Sequence, residues 1–98
     1  MEKIDPAAKA ELCRAILSLK TEEECGAFLD DICSIREMQD LAQRYAVAVL
    51  LDEGENYLEI SKATGASTAT ISRVSRCLNY GSNGYRIALD RRKKKKTK

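Results

Sequence analysis

The side chains that could bind an anion or catalyse a reaction are unevenly distributed along this chain. Short hydroxyl side chains are concentrated in residues 61–75, and Arg73 and Arg76 lie at the end of that stretch. Hydroxyl and guanidinium groups donate hydrogen bonds to phosphate oxygens and to base edges. This stretch is therefore typical of a polyanion-binding surface rather than of an acid–base catalyst.

Catalysis and metal binding have little support in the composition. The 98 residues include no His, which removes the commonest general base and the commonest zinc ligand. The four cysteines form no CxxC pair; they are Cys13, Cys25, Cys33 and Cys77. We therefore expect no enzyme activity, no catalytic residue and no metal site. We expect the cysteines to be free thiols packed in the core, in a reducing cytosol.

The net charge of +2 conceals an acidic half and a basic half. Residues 1–56 carry 13 acidic and 6 basic side chains, whereas residues 57–98 carry 2 acidic and 11 basic ones. No carboxylate lies between Ile60 and Leu89, so this segment suits a polyanion. Residues 91–98 form a basic tail, which is either a solvated, partly disordered end or a non-specific phosphate contact.

Signals for helix starts and ends follow one another along the whole chain. Residues suited to helix N-caps are Asp5, Thr21, Ser34, Asn56 and Ser67. Gly54 is suited to end a long third helix, whose last turns, residues 46–51, are apolar nearly all round. These signals predict an all-α domain of about six helices over residues 1–90. No apolar run is long enough to span a membrane, and residues 1–6 lack the apolar region of a secretion signal.

Residues 57–79 have the pattern of a helix-turn-helix. A short helix over 57–64 is followed by Gly65, where the turn needs a positive φ, and by a second helix from Thr68 to about Leu78. Its expected apolar contacts join two residues of the first helix to three of the second: Ile60, Ala63, Ile71, Val74 and Leu78. The second helix begins with small polar residues that would let it enter a major groove.

Residues 63–73, Ala-Thr-Gly-Ala-Ser-Thr-Ala-Thr-Ile-Ser-Arg, resemble the helix-turn-helix of the bacterial Trp repressor. Residues 40–44, Asp-Leu-Ala-Gln-Arg, are similar to the start of that repressor's central helix. The likeness covers roughly residues 34–79, with one residue fewer between Gly54 and Gly65, and is greatest to YerC/YecD-type members of the superfamily. The resemblance implies six helices, an intertwined homodimer and docking of the second helix of the motif on duplex DNA.

The resemblance assigns roles to single residues. It implies that Thr68, Ala69 and Ser72 approach base edges, and that Ser67 and Thr70 face phosphates. The positive charges of Lys62, Arg73 and Arg76 complete the expected DNA-binding set.

The same resemblance implies an effector pocket, and here the chain departs from the family. The corresponding positions are Ser34, Arg44, Arg73, Val74 and Cys77. Val74 replaces a family Gly beside the ligand's indole ring, and Cys77 replaces a Ser. We therefore do not expect L-tryptophan to be a cofactor, and the effector is unknown. Alternatively, Arg44 forms a salt bridge with an acidic residue of the first half.

These observations predict a sequence-specific, DNA-binding transcriptional regulator, a repressor that acts as a homodimer on a double-stranded operator. As a bacterial protein without a membrane segment it would be cytoplasmic, and associated with the nucleoid when bound to DNA. The alternative is a helical protein-interaction module whose basic tail binds an acidic partner.

Overall fold

The computed structural model describes residues 3–96, and this part of the chain contains six α-helices and no strand. The helices are α1 (Pro6–Leu17), α2 (Glu22–Ile32), α3 (Ile35–Asp52), α4 (Tyr57–Thr64), α5 (Thr68–Tyr80) and α6 (Gly84–Lys96). The all-α fold predicted from the sequence is therefore confirmed. None of the described helices is both long and apolar enough to cross a bilayer. Two compact units are present, residues 1–38 and residues 39–98.

The first unit is defined by its helix caps rather than by a core. The Asp5 side chain accepts a hydrogen bond from the Ala7 N–H at 3.0 Å, and Pro6 occupies the first helical position. Ser34 and Glu37 form a reciprocal capping box, with distances of 3.1 and 2.8 Å. No residue of α1 or α2 is buried, so both helices leave apolar side chains exposed.

The second unit begins with most of α3, which ends as the sequence predicts. Gly54 has a φ of 88°, its N–H donates to the Leu51 carbonyl, and the Glu55 N–H donates to the Leu50 carbonyl, each at 3.1 Å. This pair of bonds is a Schellman motif, which satisfies carbonyls that the end of a helix leaves without partners.

The core of the second unit is small and joins all four of its helices. Its buried apolar residues are Val47, Ala48, Ile60, Ala66, Ile71, Val74 and Leu89. The helix-turn-helix contacts expected from the sequence are largely present, since Ile60, Ile71 and Val74 are buried and Leu78 is half-buried. Ala63, however, is exposed, and Ala66 of the turn takes its place in the core.

The expectation that the cysteines lie in the core is wrong for this chain. Cys13 and Cys77 are exposed, while Cys25 and Cys33 are half-buried. For Cys13 and Cys25 the physical reason is that α1 and α2 bury no residue, so their apolar positions are not core positions within one chain.

Helix α6 includes most of the basic run. The sequence predicts a last helix from about Tyr85 to Arg91 or further, which leads into the basic tail of residues 91–98. The observed helix continues without a break to Lys96. Its basic end is anchored to the end of α3, because Lys93 Nζ lies 2.9 Å from Asp52 Oδ2 and Arg92 lies 4.0 Å from Glu53.

Candidate nucleic-acid interface

The turn between α4 and α5 is fixed by its own backbone and hydroxyl groups. Gly65 ends α4 with a φ of 75°, a left-handed conformation that glycine adopts without strain. Its N–H donates to the Ser61 carbonyl at 2.8 Å. The Thr64 hydroxyl donates to the Ile60 carbonyl at 2.8 Å and accepts from the Ala66 N–H at 3.1 Å. The angle between the two helices is therefore set locally.

Two further hydrogen bonds tie this turn to its surroundings. The Ser61 hydroxyl donates to the Ala66 carbonyl at 2.8 Å, across the turn. Gln43 of α3 donates from Nε2 to the Thr64 carbonyl at 3.1 Å. Because both acceptors are part-buried backbone carbonyls, these bonds satisfy groups that would otherwise lack a partner. The helix-turn-helix is thus held as a rigid element against α3.

The beginning of α5 presents small side chains to solvent. Ser67 is the N-cap, and its hydroxyl accepts from the Thr70 N–H at 3.1 Å and also pairs with the Thr70 hydroxyl at 3.1 Å. Thr68 and Ala69 are exposed, and Ser72 is half-buried. The remaining N–H groups of the first turn point outward with a partial positive charge, which attracts phosphate.

Cationic side chains lie next to this surface, and α5 itself carries no acidic residue. Arg73 and Arg76 are both exposed, and the first turn of α5 contains no acidic residue. Lys62 on α4 is less available, because its ammonium group lies 4.0 Å from the Glu59 carboxylate. Asp40 of α3 lines the same cleft as Arg73, so Arg76 is the cation of α5 for which no neighbouring carboxylate is seen among the described residues.

Four of the five residues of the expected effector pocket belong to the second unit, and they do not share one cleft there. Arg44 and Arg73 line one cleft of about 160 Å³, together with Asp40, Gln43 and Thr70. Val74 points into the core with 1% of its surface exposed. Cys77 lines a different, mostly apolar cleft of about 470 Å³. Ser34 belongs to the other unit, where it caps α3.

The structure contains an ion-pair network at the end of α3 that was not predicted from the sequence. The Asp52 side chain is only 11% exposed and forms two ion pairs. Its Oδ1 lies 2.8 Å from the Arg86 guanidinium, and its Oδ2 lies 2.9 Å from Lys93 Nζ. Arg86 also binds Asp90 at 3.0 Å. The Lys93 hydrogen bond, and then Arg86, hold the pKa of Asp52 below its ordinary value, although desolvation opposes them. Hydrogen bonds to Asp52 and Asp90 raise the pKa of Arg86.

Because of this network, residues 57–98 offer fewer free cations than their sequence indicates. Arg86 and two cations of the basic run form ion pairs within the chain, so they are not freely available to a polyanion. The Arg86–Asp90 spacing of four residues was a visible signal for a local pair. The pairing with Asp52 spans 34 positions, which no local pattern reveals. In residues 3–96, no group of three or more His, Cys, Asp or Glu side chains could hold a metal ion.

The described residues form six helices with a positively charged helix-turn-helix. These features are typical of helical DNA-binding regulators. The profile of the family described as "Trp repressor protein" matches residues 8–93, and the chain belongs to that family. Proteins of this family are regulators rather than enzymes.

Similar proteins from three bacteria support this assignment. The chain is 59% identical to "Uncharacterized protein YerC" of Bacillus subtilis (strain 168) over 87 residues, which cover 89% of this chain and 84% of that protein. It matches the crystal structure of a "putative Trp repressor" from Staphylococcus aureus with a TM-score of 0.86 and 47% identity, covering 91% of this chain and 89% of the other. It matches a "TrpR like protein" from Eubacterium eligens ATCC 27750 with a TM-score of 0.84 and 49% identity, covering 89% and 90%.

Proposed function

We propose that this protein is a sequence-specific transcriptional repressor that binds an operator in duplex DNA through α5. The observation that carries the proposal is the start of α5, where exposed small side chains surround a helix N-terminus whose first turn contains no carboxylate. A helix end of this kind fits the width of a major groove and attracts its flanking phosphates. The proposal places the protein in the cytoplasm, on nucleoid DNA.

The residues of this surface divide into two roles. Thr68, Ala69 and Ser72 contact base edges, and sequence preference comes from them. Ser67, Thr70, Arg73 and Arg76, with Lys62 at the margin, contact phosphates and fix the orientation of α5. Support comes from the exposure of Thr68, Ala69, Arg73 and Arg76, and from the cap that keeps the Ser67 and Thr70 hydroxyls at the helix end.

The repressor acts as a homodimer in this proposal. Helices α1 and α2 bury no residue within one chain, and they expose large apolar side chains: Leu12, Ile16, Leu17 and Ile32. Leu17 is 82% exposed, which is costly for an isolated chain in water. A second copy would cover these side chains, and a two-fold dimer would present two α5 helices to a palindromic operator.

L-tryptophan, the effector that the family implies, does not fit the residues present. Arg44 and Arg73 line a common cleft, but Val74 is committed to the core and Cys77 lines a different cleft. A ring that reached the position where the family has Gly would have to displace the stiff Val74 side chain from the core, and overpacking costs about 1–3 kcal/mol. We propose that Val74 holds α5 ready for DNA without this ligand.

A titration with random-sequence duplex DNA at several salt concentrations tests the proposed function. Phosphate contacts release counterions, so log K should fall linearly with log salt by about 0.9 unit per contact. Poly-glutamate of matched charge serves as the competitor. If the protein binds poly-glutamate as tightly as DNA, it is an acid-binding interaction module and the proposal is wrong.

A further inference from the structure

We propose that the basic end of α6 has two functionally different faces, and that only the outer face binds DNA. The inner face carries Arg86 and Lys93, which Asp52 holds against the end of α3. The outer face carries Arg91 and Lys95, which we assign to the phosphate backbone of the duplex that α5 binds. This inference rests on the proposed DNA-binding function and adds a second contact surface to it.

The inner face is defined by contacts that the structure resolves on both oxygens of one carboxylate. Arg86 and Lys93 are seven residues apart, which places them on the same side of α6. Each binds a different oxygen of Asp52, at 2.8 and 2.9 Å, and that side chain is only 11% exposed. A cation paired in this way must give up its partner before it can bind a phosphate, so it contributes little to DNA affinity.

The outer face follows from the helical order of the basic run. Arg91 and Lys95 each lie two residues from Lys93, so each is turned roughly 160° away from it at about 3.6 residues per turn. They are four residues apart and form one ridge, and both are exposed. In a flexible tail, Arg91, Lys93 and Lys95 would be equally available to a phosphate. In a helix that is anchored through Asp52, Lys93 is paired and the other two are exposed.

The charge of this ridge suits the phosphate backbone of the duplex that α5 would bind. Helices α5 and α6 are joined by residues 81–83, and both contribute to one core. The basic end of α6 lies at the end of α3, where Arg92 and Lys93 pair with Glu53 and Asp52. That anchor fixes which side of the helix carries the ridge. Complementary charge makes the phosphate backbone the occupant of the ridge.

Charge-matched substitutions two residues apart test the inference. Lys95→Gln and Lys93→Gln remove the same charge from the same helix. We expect Lys95→Gln to flatten the salt dependence of random-duplex binding by about one unit, and Arg91→Gln/Lys95→Gln by about two. Lys93→Gln should leave the slope unchanged and lower the Tm. Arg91 and Lys95 have no contact in the core, so these variants should remain folded.

The salt dependence of binding has three possible outcomes that count against the proposals. Equal flattening by Lys93→Gln and Lys95→Gln would mean that the run acts as undifferentiated charge, and the two-face inference would be overturned. No flattening by either variant, with duplex binding intact in the wild type, would overturn it as well but leave the proposed function standing. No binding of duplex DNA by the wild type would instead refute the proposed function itself.

Discussion

At the scale of single residues, the hydroxyl groups around the turn have separate tasks. Ser61 and Thr64 satisfy backbone groups of the turn, so they are structural. Ser67 caps α5 and engages Thr70, whereas Thr68 is exposed without such a task. The sequence predicted the cap, because an N-cap Ser is a local pattern. The sequence could not show which hydroxyls bond to the backbone of the turn and which face solvent, because this depends on how the turn folds.

Thr68→Ala should change sequence preference with little effect on folding. Loss of a base contact costs about 1–3 kcal/mol of discrimination at one operator position. Titrations with a selected duplex and its single-base variants measure this cost. Ser82→Ala, which removes an exposed hydroxyl from the α5–α6 loop, is the control and should change nothing.

Arg73→Ala should behave differently from Thr68→Ala. A lost phosphate contact lowers affinity for every duplex and flattens the salt slope by about one unit. Unchanged binding in both variants, with the fold intact by circular dichroism, would mean that α5 is not the recognition helix.

Val74→Gly separates the packing role of this position from its ligand role. The substitution removes three buried carbons and puts glycine inside a helix, which together cost about 3 kcal/mol of unfolding free energy. Calorimetry should show no micromolar binding of L-tryptophan by the wild type. Binding gained by Val74→Gly, or by the milder Val74→Ala, supports the steric account. Micromolar binding by the wild type would refute it.

At the scale of elements, local signals located most helix ends correctly. The predicted limits of α4, Tyr57 and Thr64, and the predicted start of α5 at Thr68 agree with the structure. Caps and glycines are read from neighbouring residues, so a sequence suffices for them. The end of α6 stayed open in the sequence, because a run of like charges repels itself unless an opposite charge neutralises it. The neutralising group, Asp52, lies far away in the sequence.

Asp52→Asn should lower the Tm at neutral pH, and the loss should depend on pH. The folded protein lowers the pKa of the Asp52 carboxyl, chiefly through Lys93 and Arg86. The stabilisation is therefore present above the ordinary carboxyl pKa of about 4 and is lost as the pH falls from there through the lowered pKa of the folded protein. Thermal unfolding from pH 7 to pH 2 should show the wild type and Asp52→Asn converging in acid. Asp31→Asn, on the exposed side of α2, is the control. A Tm difference that does not vary with pH would contradict the assigned role of the carboxylate.

At the scale of the whole molecule, burial is uneven along the chain. The small core belongs to residues 39–98, and α1 and α2 have none of their own. The sequence analysis found an apolar surplus in residues 46–51 of α3. The structure buries Val47 and Ala48 there, and the most exposed large apolar side chains lie on three different helices: Leu17 of α1, Ile35 of α3 and Tyr80 of α5. Burial depends on tertiary packing, which periodicity alone does not fix.

Sedimentation at micromolar concentration should give twice the 10.9 kDa mass of the chain. Leu17→Lys places a charge on the apolar surface that the partner would cover, and it should shift the protein toward monomer. Leu17→Met conserves the volume and should leave the dimer intact. A wild-type monomer that still binds DNA tightly would contradict the dimer proposal.

Selection of bound sequences from a pool of random duplexes tests the central claim most directly. A two-fold dimer with two α5 helices should enrich a palindrome whose half-sites lie about one helical turn apart, roughly 10 bp between centres, or a multiple of it. Selection with Thr68→Ala should relax the preference at matching positions of both half-sites. Recovery of a symmetric motif from the wild type is the result that our account predicts. Retention of DNA with no enriched motif, or with a motif that Thr68→Ala leaves unchanged, would contradict it.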